Sequence, residues 1–327
     1  MAPRIAPGNR TGNRATGGGG SVRRPWSAAM PSPSAKTVAL IGAGRLGGAL
    51  GRLLATAGYD IVAVTGRTRR SAAAAARFIG TGVPMTDLAA AASGAAIVLI
   101  TTPDREIRQA CERIARAGLR HGTLVAHASG AHTRELLDAA RKAGGRRAVI
   151  HPLQSVPSRE RGVANLPGSY FRIEADPGAL RRARDLVRAV GGRELSLPGW
   201  RSDRHSAALY HAGAVAASNY LVTLVAYAVR HYQALGAARG QALRAVLPLI
   251  KGTLANIERL GIPGALTGPI CRGDVATVAA HLAALRARAP ELVEPYRQLA
   301  RLTVPLAREK GGLTPEAADT ILQLVRQ

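Results

Sequence analysis

The stretch TVALIGAGRLGGALGRLLATAG, residues 37–58, constrains the fold of this chain more than any other. Thr37 to Ile41 reads as a short buried strand, and Leu46, Leu50, Leu53, Leu54 and Ala57 recur at helical spacing directly after it. The glycines therefore fall at a strand-to-helix junction. Gly42 permits the tight turn, Gly44 leaves room for a pyrophosphate to approach the backbone, and Gly47 lets the helix pack closely on the sheet. Together with Ala43, Arg45 and Leu46 they open a helix whose unpaired N–H groups and positive dipole end suit phosphates. A lone GxGxxG arises by chance in an alanine- and glycine-rich chain, and a purely structural turn is the alternative reading. The strand at Asp60 to Val64, which completes a strand–helix–strand unit, gives the pattern its weight.

The end of that second strand bears on which dinucleotide would fit. A site for NAD places a carboxylate there to accept from the ribose 2′-OH. This chain has Thr65-Gly66-Arg67-Thr68-Arg69-Arg70, and Asp60 stands at the other end of the strand, where it opens. A guanidinium and a hydroxyl suit a 2′-phosphate, so NADP(H) is expected, with Arg67 and Thr68 as its contacts. Ordinary solvated arginines are the alternative.

Further along, strands are predicted at Ile97 to Thr101, Thr123 to Ala126, Ala148 to Ile150, Ser169 to Glu174 and Arg193 to Leu197. Helical periodicity lies between them, for example over Arg105 to Ala117, Thr133 to Ala143 and Ala179 to Val190. This alternation predicts an α/β fold with a doubly wound, mostly parallel sheet, in which ligands gather at the strand C-terminal ends. Those ends carry Thr102-Pro103-Asp104, His127-Ala128-Ser129-Gly130 and His151-Pro152. Thr102 and Pro103 are expected to border the cofactor. From Ser202 onward the pattern is helical throughout, with one long helix to Leu235 and further helices at 241–260, 274–287, 291–310 and 315–326. The expected organisation is a tail at 1–35, a dinucleotide-binding domain at 36–199 and an all-helical domain at 200–327.

Composition narrows the function classes. A formal charge of +25 ordinarily suggests nucleic acid. The excess is nearly all arginine, with only Lys36, Lys142, Lys251 and Lys310 as lysines, and it is dispersed along helices beside abundant alanine and glycine. That pattern reads as codon bias, so neither nucleic acid nor a membrane is expected as a partner, while a small anionic substrate is favoured. Cys111 and Cys271 form no CxxC pair, and His205 and His211, six apart, have no neighbouring carboxylate, so no metal site is expected and a cytoplasmic setting is the simplest. Residues 1–35 hold five arginines, the Gly17–Gly20 run and no acid; they read as a flexible tail, or as an overlong start with Met30 as initiator. Ser206 to Val229 is long enough to span a bilayer. His211, Ser218, Asn219, Tyr220 and Thr223 within it make a buried helix of a soluble domain the better expectation.

The glycine fingerprint, HASG at 127–130, HPLQS at 151–155, YHAGAVAASNYLVTL at 210–224 and LTGPICRGD at 266–274 together resemble an uncharacterised bacterial family over residues 36–325. Its members join a Rossmann-like NADP-binding domain to a helical domain of unknown function. The architecture is more distantly similar to pyrroline-5-carboxylate reductase, ketopantoate reductase, 6-phosphogluconate dehydrogenase and prephenate dehydrogenase. The resemblance implies an oxidoreductase, a helical C-terminal domain of the 6-phosphogluconate dehydrogenase-like type, and a homodimer formed through that domain. It supplies no substrate.

Several of the hydroxyacid dehydrogenases place a catalytic Lys, followed by an Asn, on the first long helix of the second domain. The corresponding helix here has no Lys and offers His211, with Ser218 nearly on its face and Asn219 about 80° round it. His211 is the expected acid/base opposite the hydride, with Asn219 and Ser129 beside it. His127, His151, Ser218 and Arg272 are the expected substrate contacts, while His121, His132, His231 and His281 are given no role. Plain alternatives stand beside each: a satisfied core histidine for His211, loop bracing for His151, a Ser-Gly turn for Ser129. Asp274 is expected to cap the helix after it. A non-catalytic NADP sensor or scaffold, its chemistry lost with the Lys, is the rival function; a nucleic-acid protein driven by the tail is a more distant one.

Overall fold

The computed structural model describes residues 35–326, so the expected tail at 1–35 lies outside the described residues but for Ala35. The chain begins β1 (Thr37–Ile41), α1 (Arg45–Thr56), β2 (Asp60–Thr65), α2 (Arg69–Ile79), β3 (Val83–Met85), α3 (Leu88–Ala92), β4 (Ile97–Ile100), α4 (Asp104–Arg116) and β5 (Leu124–His127). It continues α5 (Asp138–Lys142), β6 (Arg146–Pro152), α6 (Arg159–Asn165), β7 (Tyr170–Ala175), α7 (Leu180–Ala189) and β8 (Arg193–Glu194). The eight strands form one sheet in the order β3-β2-β1-β4-β5-β6-β7-β8. All neighbours are parallel except β6 and β7, which run antiparallel. The strand order reverses between β1 and β4, and a crevice outside their C-terminal ends is where an open α/β sheet receives its ligand.

Alternation along the central strands builds two cores. Val38, Leu40, Ile97 and Leu99 face the layer with α1, α2 and α7. Ala39, Ile41, Val98 and Ile100 face the layer with α3 and α4. With so few aromatics the core is aliphatic, and glycines on α1 bring helix and sheet close: a Cβ on Gly51 would sit 2.4 Å from Leu40 Cδ1 and 2.9 Å from Ile79 Cδ1. α2 starts where Thr68 accepts from the Ser71 amide in a reciprocal capping box and stops at Gly80, φ +92°.

After β8 the chain is helical: α8 (Arg204–Val215), a π turn (Ala216–Tyr220), α9 (Leu221–Gln233), α10 (Arg239–Leu260), α11 (Val275–Arg288), α12 (Val293–Lys310) and α13 (Pro315–Leu324). α11, α12 and α13 close around Val278, Leu282, Val304 and Ile321. The long helix from α8 to α9 differs from expectation. It is the one helix among the described residues long and apolar enough to cross a membrane, yet only 6% of its apolar window is buried within the chain. α10 packs on it through Val229, Ala242 and Val246, while Leu209 (77% exposed) and Val222 (70%) have no cover from their own chain.

The close fit of α1 predicts that Gly51→Leu lowers stability by about 2 kcal/mol, because overpacking outweighs the gain of about 1 kcal/mol in helix propensity. Gly94→Ala, where a Cβ meets open space, stays within about 0.5 kcal/mol. Urea midpoints of the two variants check the contrast.

Candidate functional site

The glycine turn is held by the strands on either side. Gly42 has φ +83°, and a Cβ there would lie 2.6 Å from Thr102 Cγ2 and 3.0 Å from the Thr102 amide nitrogen. Its N–H donates to Thr65 Oγ1 at 2.9 Å, and the Ala43 N–H donates to the Thr65 carbonyl at 2.9 Å. Gly47 answers a different need: a Cβ would come within 2.2 Å of Thr101 Oγ1, which itself donates to the Gly42 carbonyl at 3.0 Å. At Gly44 a Cβ would have only the Gly42 carbonyl oxygen for company, 3.9 Å away, so this side of the turn is open. Gly44 caps α1 with no side-chain acceptor, and no acid lies in the first turn. The first amides of α1 and its positive dipole end therefore face open space. Buried Thr102 Oγ1 beside them has no hydrogen-bond partner.

The end of β5 carries a second group of residues. His127 is 1% exposed; it accepts from the Ser129 amide at Nδ1 (3.1 Å) and meets the Thr133 carbonyl at Nε2 (3.0 Å). Burial pushes its pKa down to about 4. Neutral, with both ring nitrogens spent inside the loop, His127 braces residues 128–133. Ser129 Oγ donates to Asp104 Oδ2 at 2.8 Å and lies 2.9 Å from His132 Nδ1. Asp104 opens α4 and His132 is half-exposed, so Ser129 ties the two strand ends together.

β6 and α8 supply the third group. Tyr210 OH lies 2.8 Å from His151 Nδ1, and the His151 and His211 ring centroids are 6.5 Å apart. Both rings close on Gly130, where a Cβ would sit 2.7 Å from His151 Nε2 and 2.9 Å from His211 Cδ2. Burial first, then the nearby Arg172 charge, hold the His151 pKa down at about 4, so this ring stays neutral and shares a hydrogen bond with the Tyr210 hydroxyl. His211 is half-buried and makes no hydrogen bond among the described residues.

Behind these rings lies Arg172, 1% exposed. It donates to the Ser129 and His132 carbonyls (3.1 and 2.8 Å) and to Glu174 Oε2 (3.3 Å). Its guanidinium stacks 4.5 Å from the Trp200 centroid and 5.3 Å from that of Tyr210. One buried cation thus fixes the 129–132 loop from below and the start of the helical region from the side.

The structure brings His151, His211 and Ser129 to one strand edge with the glycine turn, Thr102 and Pro103. It places no contact between them and Ser218, Asn219 or Arg272. The π turn at 216–220 breaks the α-helical arithmetic that put Ser218 in phase with His211, and Ser218 and Asn219 are exposed. Arg272 is exposed in the loop before α11, whose cap is Asp274, accepting from Thr277 at 3.0 Å. Arg67 and Thr68 lie exposed after β2, with Thr68 engaged as the cap of α2. Sequence reasoning missed Asp104, His132, Arg172, Trp200 and Tyr210. Asp104 and Tyr210 flank residues it did choose; Arg172, in a strand, carried no signal.

The fold is that of a Rossmann-like domain followed by a helical domain. Residues 24–152 match the Rossmann-like domain, and residues 169–303 match the domain of unknown function DUF2520. The chain joins these two, as its resemblance implied. The second match begins at β7, so that family's domain takes in the last two strands of the sheet. A Thermotoga maritima protein, 24% identical, superposes over 83% of this chain and 99% of its own with a TM-score of 0.67. An imine reductase from Myxococcus stipitatus, solved with NADP+, is 18% identical over 89% of this chain and all of its own (TM-score 0.55). Pyrroline-5-carboxylate reductase from Coxiella burnetii is 17% identical over 84% and 97% (TM-score 0.53). These likenesses concern the fold. No curated protein matches the chain in sequence.

Two measurements check this geometry. Gly130→Ala has no room for its methyl, so the imidazole NMR resonances of both His151 and His211 move; unchanged resonances would place the rings elsewhere. His127 and His151 titrate near 4 when folded and near 6.5 when unfolded, so their stabilisation is complete above pH 6.5 and is lost as pH falls toward 4. The loss is at most roughly 3 kcal/mol per ring, read from denaturant midpoints at pH 7.5 and 4.5.

Proposed function

We propose that this chain is an NADP(H)-dependent oxidoreductase acting on a small, anionic carbonyl, imine or alcohol compound. One observation carries the reading: an uncapped, open glycine turn and a pair of imidazoles meet at the same C-terminal edge of the sheet. The turn fits the cofactor. Gly44 leaves open space where a side chain would stand, the first amides of α1 face it, and Arg67 ends the route from β2 where a 2′-phosphate would lie. NADP(H), when bound, supplies or accepts the hydride.

The remaining chemistry belongs to the chain. His211, half-buried and unbonded, moves the proton at the substrate oxygen or nitrogen. His151, neutral and bonded to Tyr210, keeps a second positive charge away from it. Ser129 and Gly130 form the floor, held by Arg172 from beneath. The exposed apolar helices support the expected homodimer. A second copy covering Leu209, Val222 and Leu249 would also explain the polar Ser218 and Asn219 in a stretch that lipid would tolerate poorly.

The absence of Lys from α8 favours one second reading, a non-catalytic NADP sensor. Fluorescence titration with NADPH and NADH, followed by a turnover screen of cyclic imines and oxo acids, separates the two. Oxidoreductase function predicts NADPH binding at least tenfold tighter than NADH, with the preference lost in Arg67→Ala. It also predicts turnover that falls by about 10²–10⁴ in His211→Ala. NADPH binding with no turnover supports the sensor. Sedimentation in detergent-free buffer should show a particle of two chains; a monomer would contradict the dimer.

A further inference from the structure

The glycine turn has a bracket that no motif announces. α6 begins at Arg159, behind a Ser158 cap that accepts from the Arg161 amide at 3.2 Å. From there the side chain crosses to the cofactor turn: Nη2 donates to the Ala43 carbonyl at 2.9 Å and Nε to the Gly44 carbonyl at 3.1 Å. α1 makes room for it. A Cβ on Gly48 would lie 2.8 Å from Arg159 Cδ and 2.9 Å from its Nε, so the Arg159 stem fills a notch that only glycine leaves. One turn on, Gly162 opens a matching notch for Ala49, where a Cβ would stand 2.6 Å from the Ala49 methyl. Two helices far apart in sequence are thus cut to fit at the place where the guanidinium meets the turn.

The chemistry of that contact is directional. Its hydrogen-bond partners are neutral carbonyls, and among the described residues no carboxylate stands within ion-pair distance of Arg159; the exposed Glu160 next in the chain feels its charge only from farther off. Nη1 makes no hydrogen bond there either. By holding two carbonyls on one side of the turn, the guanidinium leaves the Arg45 N–H of the second peptide unit turned the other way, while the Gly44 N–H of the first closes the turn on the Gly42 carbonyl at 2.7 Å. It also adds a full positive charge to the partial charge of the helix terminus. Lysine would supply the charge without the fork that spans both carbonyls.

We propose that Arg159 is a positioning residue of the diphosphate subsite, a role that rests on the NADP(H) reading above. It acts through the turn, setting its shape and its field toward an anionic diphosphate, and takes no part in recognising the 2′-phosphate.

The test uses the full chain and two probes: NADPH, and adenosine 2′-monophosphate, which carries the 2′-phosphate without the diphosphate. Calorimetry for the first and ligand-observed NMR for the second are run on wild type, Arg159→Met, Arg159→Lys and Arg67→Ala. Arg159→Met should weaken NADPH binding by about tenfold or more and leave adenosine 2′-monophosphate affinity unchanged. Arg159→Lys should recover part of the loss, and Arg67→Ala should weaken both probes. Arg159→Met binding NADPH as wild type does, or losing both probes equally, overturns the proposal while the cofactor reading stands. Wild type failing to bind NADPH overturns that reading and this one with it. Arg159→Lys keeps the outcome readable should the Met variant unfold.

Discussion

Backbone approaching closer than a Cβ allows is the constraint on which the site depends. At Gly42 the turn passes against Thr102, at Gly47 the helix lies against Thr101, at Gly48 it lies against Arg159, and at Gly130 the loop after β5 admits two imidazoles. The first three bring an open helix terminus to the reversal point of the sheet; the fourth brings His151 and His211 to the neighbouring strand ends. A methyl at any of them must displace something that binds or orients. The chain thus uses its abundant glycine for close approach at these positions, whereas Gly58, Gly118 and Gly168, at positive φ with nothing nearby, only reverse the chain.

What keeps this crowded edge rigid is a buried polar frame beneath it. Arg172 joins the Ser129 and His132 carbonyls to Glu174, and Glu174 also accepts from the Arg134 amide at 3.3 Å and from Ser202. Asp176 is gripped by Arg147 through its backbone N–H at 2.9 Å and its guanidinium at 2.8 Å. Burying such charges is costly, and pairs of this kind add little net stability over apolar packing. Their yield here is position. The antiparallel β7, which a plain doubly wound sheet does without, carries the groups that set the loop after β5 and the approach to α8.

Much of this was readable beforehand. The strand–glycine–helix–strand unit, the mostly parallel alternation and the helix cap at Asp274 follow from local spacing and local hydrogen bonding, and they stand where the sequence put them, whereas Thr68, expected at a 2′-phosphate, caps α2. What escaped depends on distance. Arg172 and Glu174 sit in a strand as buried charges, which alternation reads as a solvated face. Asp104 meets Ser129 only because two strand ends are adjacent. Ser218 drops out of phase because one π turn intervenes. The long helix reads as buried from its apolar content, yet its own chain leaves it bare, since hydropathy records that a surface wants cover and not whose surface provides it.

A crystal structure with NADPH bound tests the central claim most directly. The account requires the diphosphate within hydrogen-bonding distance of the Arg45 and Leu46 amides, the 2′-phosphate beside Arg67, and the nicotinamide above Gly130 with His211 facing its reactive carbon. A diphosphate seated away from the glycine turn, or a nicotinamide remote from the His151–His211 pair, would contradict it.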